Sequence, residues 1–107
     1  MLKIEDNNIF LTRGDSATID LTIYDEDGNI YTPKQNDVIV FSVKVNVNNV
    51  ELALRKTFDN LSLTIEKAES LKFNYGTYFY DVKLINGDLT DTFITSGKFI
   101  IGGGTNE

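Results

Sequence analysis

Three side chains of this 107-residue chain stand at a spacing that could hold a metal ion. Asp25, Asp27 and Asn29 alternate as the oxygen donors that open a calcium loop do. The rest of such a loop does not follow. Its glycine belongs at the sixth position and a bidentate glutamate at the twelfth, whereas here Gly28 comes fourth and Asn36 twelfth. An acidic hairpin tip bathed in water is the simpler reading, with Asp37 as the carboxylate that could complete a weak surface site. No other metal and no cofactor is expected.

Catalytic groupings are thinner still. Arg13-Gly14-Asp15 spells an integrin-binding tripeptide, but Gly14 also suits a turn and Asp15 can accept from a nearby backbone amide. Asp81, Asp88 and Asp91 gather near the last hairpin, and Asp20 faces outward on its strand. A hydrolase built on Asp81 and Asp91 is the enzyme hypothesis to weigh, since glycosidases use paired carboxylates. Ser16, Ser42, Ser62, Ser70 and Ser96 have no histidine to activate them, because the chain has none. Lys44 and Lys56 would need desolvation to act as nucleophiles. Gly102-Gly103-Gly104 opens no helix and so offers no phosphate cradle.

Composition points the same way. Cysteine is absent, which removes disulfides, thiolate nucleophiles and thiolate ligands. Without histidine, the usual base near neutral pH and the commonest zinc ligand are missing as well. The net charge of −6 opposes nucleic acid and anionic membranes as partners. Met1 to Asp6 shows no signal peptide, and no run approaches the ~20 apolar residues of a membrane span. Binding or assembly, not catalysis, is the expected work of this chain.

The elements that must position these residues are strands. Apolar residues recur with a period of two along most of the chain, and alanine is scarce. Strands are predicted over Asn8–Leu11, Ser16–Tyr24, Ile30–Tyr31, Val38–Val47, Val50–Phe58, Leu61–Ile65, Thr77–Ile85 and Leu89–Ile101. Turns fall at Arg13-Gly14-Asp15, Asp25 to Asn29, Asn48-Asn49, Asp59-Asn60 and Asn86-Gly87-Asp88. Only Glu66 to Leu71 favours a helical turn. Turn signals every 8–12 residues or so predict an all-β, immunoglobulin-like antiparallel β-sandwich of seven to eight strands. A small closed barrel is the alternative. Residues 1–101 make the single domain, and 102–107 a flexible glycine-rich tail.

Aromatic residues are the remaining candidates for contact. Tyr75, Tyr78, Phe79 and Tyr80 form the densest patch. Tyr78 and Tyr80 share one face of a strand, and Phe93, Thr95, Gly97, Phe99 and Ile101 share one face of the next. These side chains either fill the core or form an aromatic contact surface, so Tyr75, Tyr78, Tyr80, Phe93 and Phe99 are the interface candidates. On Ile39 to Val47 five apolar residues share a face, and Val40 adds apolar character to the other. Such a strand suggests a sheet covered on both sides, the second time by another subunit.

Several runs together carry a resemblance: Leu11-Thr12-Arg13-Gly14-Asp15-Ser16-Ala17-Thr18-Ile19, Asp25-Glu26-Asp27-Gly28-Asn29-Ile30-Tyr31 and Asp37-Val38-Ile39-Val40-Phe41-Ser42-Val43-Lys44. Tyr75-Gly76-Thr77-Tyr78-Phe79-Tyr80-Asp81-Val82-Lys83-Leu84 and Asp91-Thr92-Phe93-Ile94 extend it to nearly the whole chain. They resemble the N-terminal immunoglobulin-like domain of phage baseplate upper proteins, found in phages and prophages of Gram-positive bacteria. The resemblance implies an attachment module that docks on the distal tail and a structural place for Arg-Gly-Asp in a strand-leading turn. In that family further C-terminal segments carry or hold the receptor-binding parts; this chain reads either as a short stand-alone member or as a fragment of a longer gene product, so receptor binding is not carried over.

The expectation is therefore a virion structural protein of a phage tail or baseplate, made in the bacterial cytoplasm. Its partners would be other tail or baseplate proteins, with self-association open. The strand from Asp91 to Ile101 is the first candidate for docking, since edge strands pair readily. The rival is a carbohydrate-binding module for host-surface glycans, with Tyr24, Tyr31 or Tyr75 lining a shallow groove.

Overall fold

The structure is a computed structural model and describes residues 2–5, 7–45, 52–86 and 90–103. Among the described residues eight strands are present: β1 (Leu2–Glu5), β2 (Asn8–Thr12), β3 (Ala17–Asp20), β4 (Asp37–Lys44), β5 (Leu52–Thr57), β6 (Ser62–Ile65), β7 (Gly76–Asn86) and β8 (Thr90–Gly102). One short helix, α1 (Lys67–Leu71), lies between β6 and β7. The larger sheet has the order β1-β2-β8-β7-β4-β5, and β3 and β6 form the smaller one. Their inner faces pack together into one core, so the fold is the expected all-β sandwich. One pairing departs from the antiparallel rule: β2 runs parallel to β8, from Ile9↔Phe99 to Thr12↔Gly102.

Alternation places the core as the period of two requires. Ile39, Phe41 and Val43 point inward from β4, and Ile19, Leu63 and Ile65 meet them from the smaller sheet. Aromatic rings fill the middle. Phe41 lies 5.4 Å from Tyr80 and 6.0 Å from Phe99, centroid to centroid.

Three strand expectations change. β1 was not anticipated; its four residues fold back on β2 through a turn in which Asn7 takes a φ of 65°. The strand read over Ser16–Tyr24 ends at Asp20, because its partner β6 offers only the four residues Ser62–Ile65. Beyond it, Tyr24 and Ile30 form an isolated bridge beneath the acidic turn. Third, the register of β7 on β8 shifts between Val82↔Thr95 and Lys83↔Phe93. This bulge breaks strict alternation. Ile94 packs against the core, and the register position of Phe93 falls opposite Lys83 instead of on the row of Gly97 and Phe99.

α1 begins on a local cap. The Glu66 amide donates to the Glu69 carboxylate at 2.8 Å. β8 continues through Gly102, one residue past the boundary expected for the domain. The Asn48-Asn49 turn, the Gly87-Asp88 portion of the last hairpin and the tail residues 104–107 lie outside the described residues.

Candidate functional site

The acidic hairpin is held by its own first carboxylate. Asp25 Oδ1 accepts from the amides of Asp27 at 2.9 Å and Asn29 at 3.0 Å. Gly28, with a φ of 84°, lets the chain close, and its amide donates to the Asp25 carbonyl. Asp25 is therefore a turn former, and no group of three carboxylates suited to a metal ion occurs among the described residues. Asp37, the proposed fourth ligand, is committed elsewhere. It accepts from the Lys34 amide at 2.8 Å, from the Tyr31 hydroxyl and from the Asn86 side chain.

These bonds hold the Asp37 carboxyl below its ordinary value of 3.8, the Lys34 amide first and the Tyr31 hydroxyl next. Glu69 is treated differently. Desolvation pushes its carboxyl up, but the Lys56 ammonium at 2.7 Å and the Glu66 amide outweigh this and leave it below 4.5. Lys56 thereby joins the larger sheet to α1, which accounts for it without nucleophilic chemistry. Both carboxyls are lowered by folding, so their stabilisation is complete above their unfolded values and is lost as pH falls through the folded ones. We expect the melting temperature to hold above about pH 5 and to drop steeply below about pH 4. Asp37→Asn should flatten that acid limb; an unchanged limb would remove Asp37 from the account.

Arg-Gly-Asp is structural. Arg13 Nε donates to the Phe73 carbonyl at 2.7 Å, and Nη2 donates to the Leu71 carbonyl at 2.8 Å. The guanidinium thus caps the end of α1 and lies 5.7 Å from the centre of the Tyr75 ring. Ser70, fully buried, accepts from the Gly14 amide at 2.9 Å and donates to the Asp15 carbonyl at 2.8 Å. The turn and the helix end are one bonded unit. Arg13→Ala should lower unfolding free energy by about 1.5–3 kcal/mol, since charge-assisted bonds to two carbonyls are lost. Arg13→Lys should recover only part of it, measured by urea denaturation.

The paired-carboxylate site does not assemble. Asp81 stands opposite Ser96, whereas Asp91 stands opposite Ile85, four positions along β7. That offset is about 13 Å of strand, beyond the spacing of glycosidase carboxylates. Of the interface candidates, Phe99 and Tyr80 are corrected outright. They are 0% and 7% exposed, because their strand positions point into the sandwich. Tyr78 is half-buried, its ring edge-on to Phe73 at 4.9 Å, while Tyr75 stays exposed. The expected docking strand is covered in part. β7 runs along one side of β8, and on the other side β2 pairs with its last residues, from Phe99 to Gly102.

Two surfaces among the described residues are the strongest candidates to receive something. The first is a cleft of about 610 Å³ between residues 21–26 and the β7–β8 ribbon. Leu21, Ile23, Leu84 and Ile94 give it apolar walls, and Tyr24, Tyr31, Asp25 and Glu26 also line it. The second is the outer face of the larger sheet, over which no described element packs. Its rows follow from the register. Arg55, Ser42, Asp81 and Ser96 form one row; Leu52, Lys44, Phe79 and Lys98 the next; Thr57, Val40 and Lys83 a third. Val40 is only 4% exposed there although no described element covers it, held between Thr57 and Lys83. This patch eluded the sequence reading because its cations come from four strands whose order was unknown. Only the outward placing of Val40, Ser42 and Lys44 hinted at it.

Comparison with known protein families, curated proteins and solved structures returned no match.

Proposed function

We propose that the chain is a structural component of a phage or prophage tail or baseplate, an immunoglobulin-like module that works by protein–protein assembly. The observation that carries the assembly role is the outer face of the larger sheet. It joins partly apolar rows to charge that forms no ion pair among the described residues, and the fold leaves it uncovered by any described element. The phage setting rests on the sequence resemblance to baseplate upper proteins. Co-expression with the tail proteins encoded beside it, followed by affinity capture, tests the reading. Stable co-purification with one of them is the expected result. A chain that emerges alone from every such co-expression would sink it.

A second reading has its own observation. Tyr24 and Tyr31 line the same cleft, as a glycan-binding module would require. A glycan array should then give hits that Tyr24→Ala abolishes. An empty array would leave the cleft without this role.

A further inference from the structure

Four of the ten basic residues of this chain gather on one surface. The chain carries −6 overall, with ten basic residues against sixteen acidic ones. Yet Lys44, Arg55, Lys83 and Lys98 all project from the outer face of the larger sheet, with Asp81 the acidic side chain described among them. None of the four cations forms an ion pair among the described residues. Stability does not ask for this arrangement, since like charges on neighbouring strands repel. Two shallow depressions flank Asp81. One is lined by Lys44, Phe79 and Lys98 among others, the second by Val40, Leu52, Arg55 and Lys83 among others.

The complementary surface lies on the same chain. The hairpin from Tyr24 to Ile30 carries Asp25, Glu26 and Asp27, all exposed. It also exposes its two large apolar side chains, Tyr24 at 64% and Ile30 at 67%. This hairpin follows β3 on the smaller sheet, so the sandwich separates it from the outer face of the same molecule. We infer that the basic outer face receives the acidic Tyr24–Ile30 hairpin of a second copy of this chain. The inference rests on reading the chain as an assembly module and names its partner. Cations of the face meet the three carboxylates, and Tyr24 and Ile30 settle on the apolar rows around Val40, Leu52 and Phe79. Because the two surfaces differ, the contact is head-to-tail. Each added copy leaves one face and one hairpin free, so growth ends in a ring or an open chain.

Charge exchange tests this directly. The wild-type chain at about 1 mM should exceed its monomer mass in sedimentation equilibrium and return toward it as salt rises to about 0.5 M. Arg55→Glu/Lys98→Glu should weaken association at least tenfold, and so should Glu26→Lys/Asp27→Lys. Asp25 is left intact because its carboxylate holds the turn. An equimolar mixture of the two variants should associate again, since each supplies the charge the other lacks. Lys83→Glu is the second face variant, for use if the first pair melts early. A wild-type monomer at every concentration, or a mixture that stays monomeric, would overturn the contact. Capture of a tail protein by a strictly monomeric chain would discard self-contact and keep the assembly role. Salt-sensitive binding of duplex DNA to the face in place of self-association would discard it too.

Discussion

Replacing Gly97 with valine should unfold much of the protein at room temperature, and even alanine should cost about 2–4 kcal/mol. The reason is a close crossing of backbones. A Cβ on Gly97 would sit 2.1 Å from the Asn7 carbonyl oxygen and 3.0 Å from its carbon, with Tyr80 Cε1 also at 3.0 Å. The obstructing atoms belong to main chain and to a core ring, so no flexible tip can swing aside. The Asn7 carbonyl is fixed where it is because it accepts from the Tyr80 hydroxyl. The Lys98 amide holds the next residue by donating to Asn8 Oδ1 at 3.1 Å. Moving the β1–β2 turn outward would break both bonds and loosen β2 from β8. Urea denaturation measures the loss. Ser96→Ala, on the exposed neighbour, should stay within about 0.5 kcal/mol of wild type. A Gly97→Ala protein as stable as wild type would show that the turn yields freely.

Gly97 also marks where sequence stops being legible. Its place on β8 could be read from alternation, but the backbone that crosses it comes from Asn7, ninety positions away. The same limit governs Arg13. Its turn was readable from Gly14, yet the carbonyls it caps lie near residues 71 and 73 and no local pattern announces them. Strand existence was legible wherever alternation ran long, as in β4, β7 and β8, because burying one face of a pleated strand demands it. It failed at β1, where Leu2 and Ile4 are too few to establish a period. Strict alternation failed in β8 for one reason, the inserted Ile94, which shifts the register of Phe93 and which an even count cannot foresee. The candidate site suffered most. Lys44, Arg55, Lys83 and Lys98 became a surface only when the order β8-β7-β4-β5 set their strands side by side.

Phe41→Ala should lower unfolding free energy by about 3–5 kcal/mol, a large share of the 5–15 or so that a domain of this kind possesses. Phe41 is wholly buried and touches three rings: Tyr80, Phe99, and Phe58 edge-on at 6.4 Å. It therefore ties β4 to the β7–β8 ribbon and to the chain leaving β5. Truncation removes the transfer energy of the ring and opens a cavity that the surrounding strands cannot close, since their hydrogen-bonded register fixes their spacing. Phe41→Leu should recover more than half of the loss by refilling most of the volume. Phe99→Ala should be similarly severe, and the double variant should lose less than the sum of the two. A cycle on the pair should return about 0.5–1.5 kcal/mol of coupling, the value of ring–ring geometry beyond area. Strict additivity would mean the two rings contribute by area alone and that the aromatic cluster has no preferred arrangement. Because the ring is sealed on the inner face, charges on the outer face should not alter these values. Stability of the core and attachment by the surface can then be changed separately.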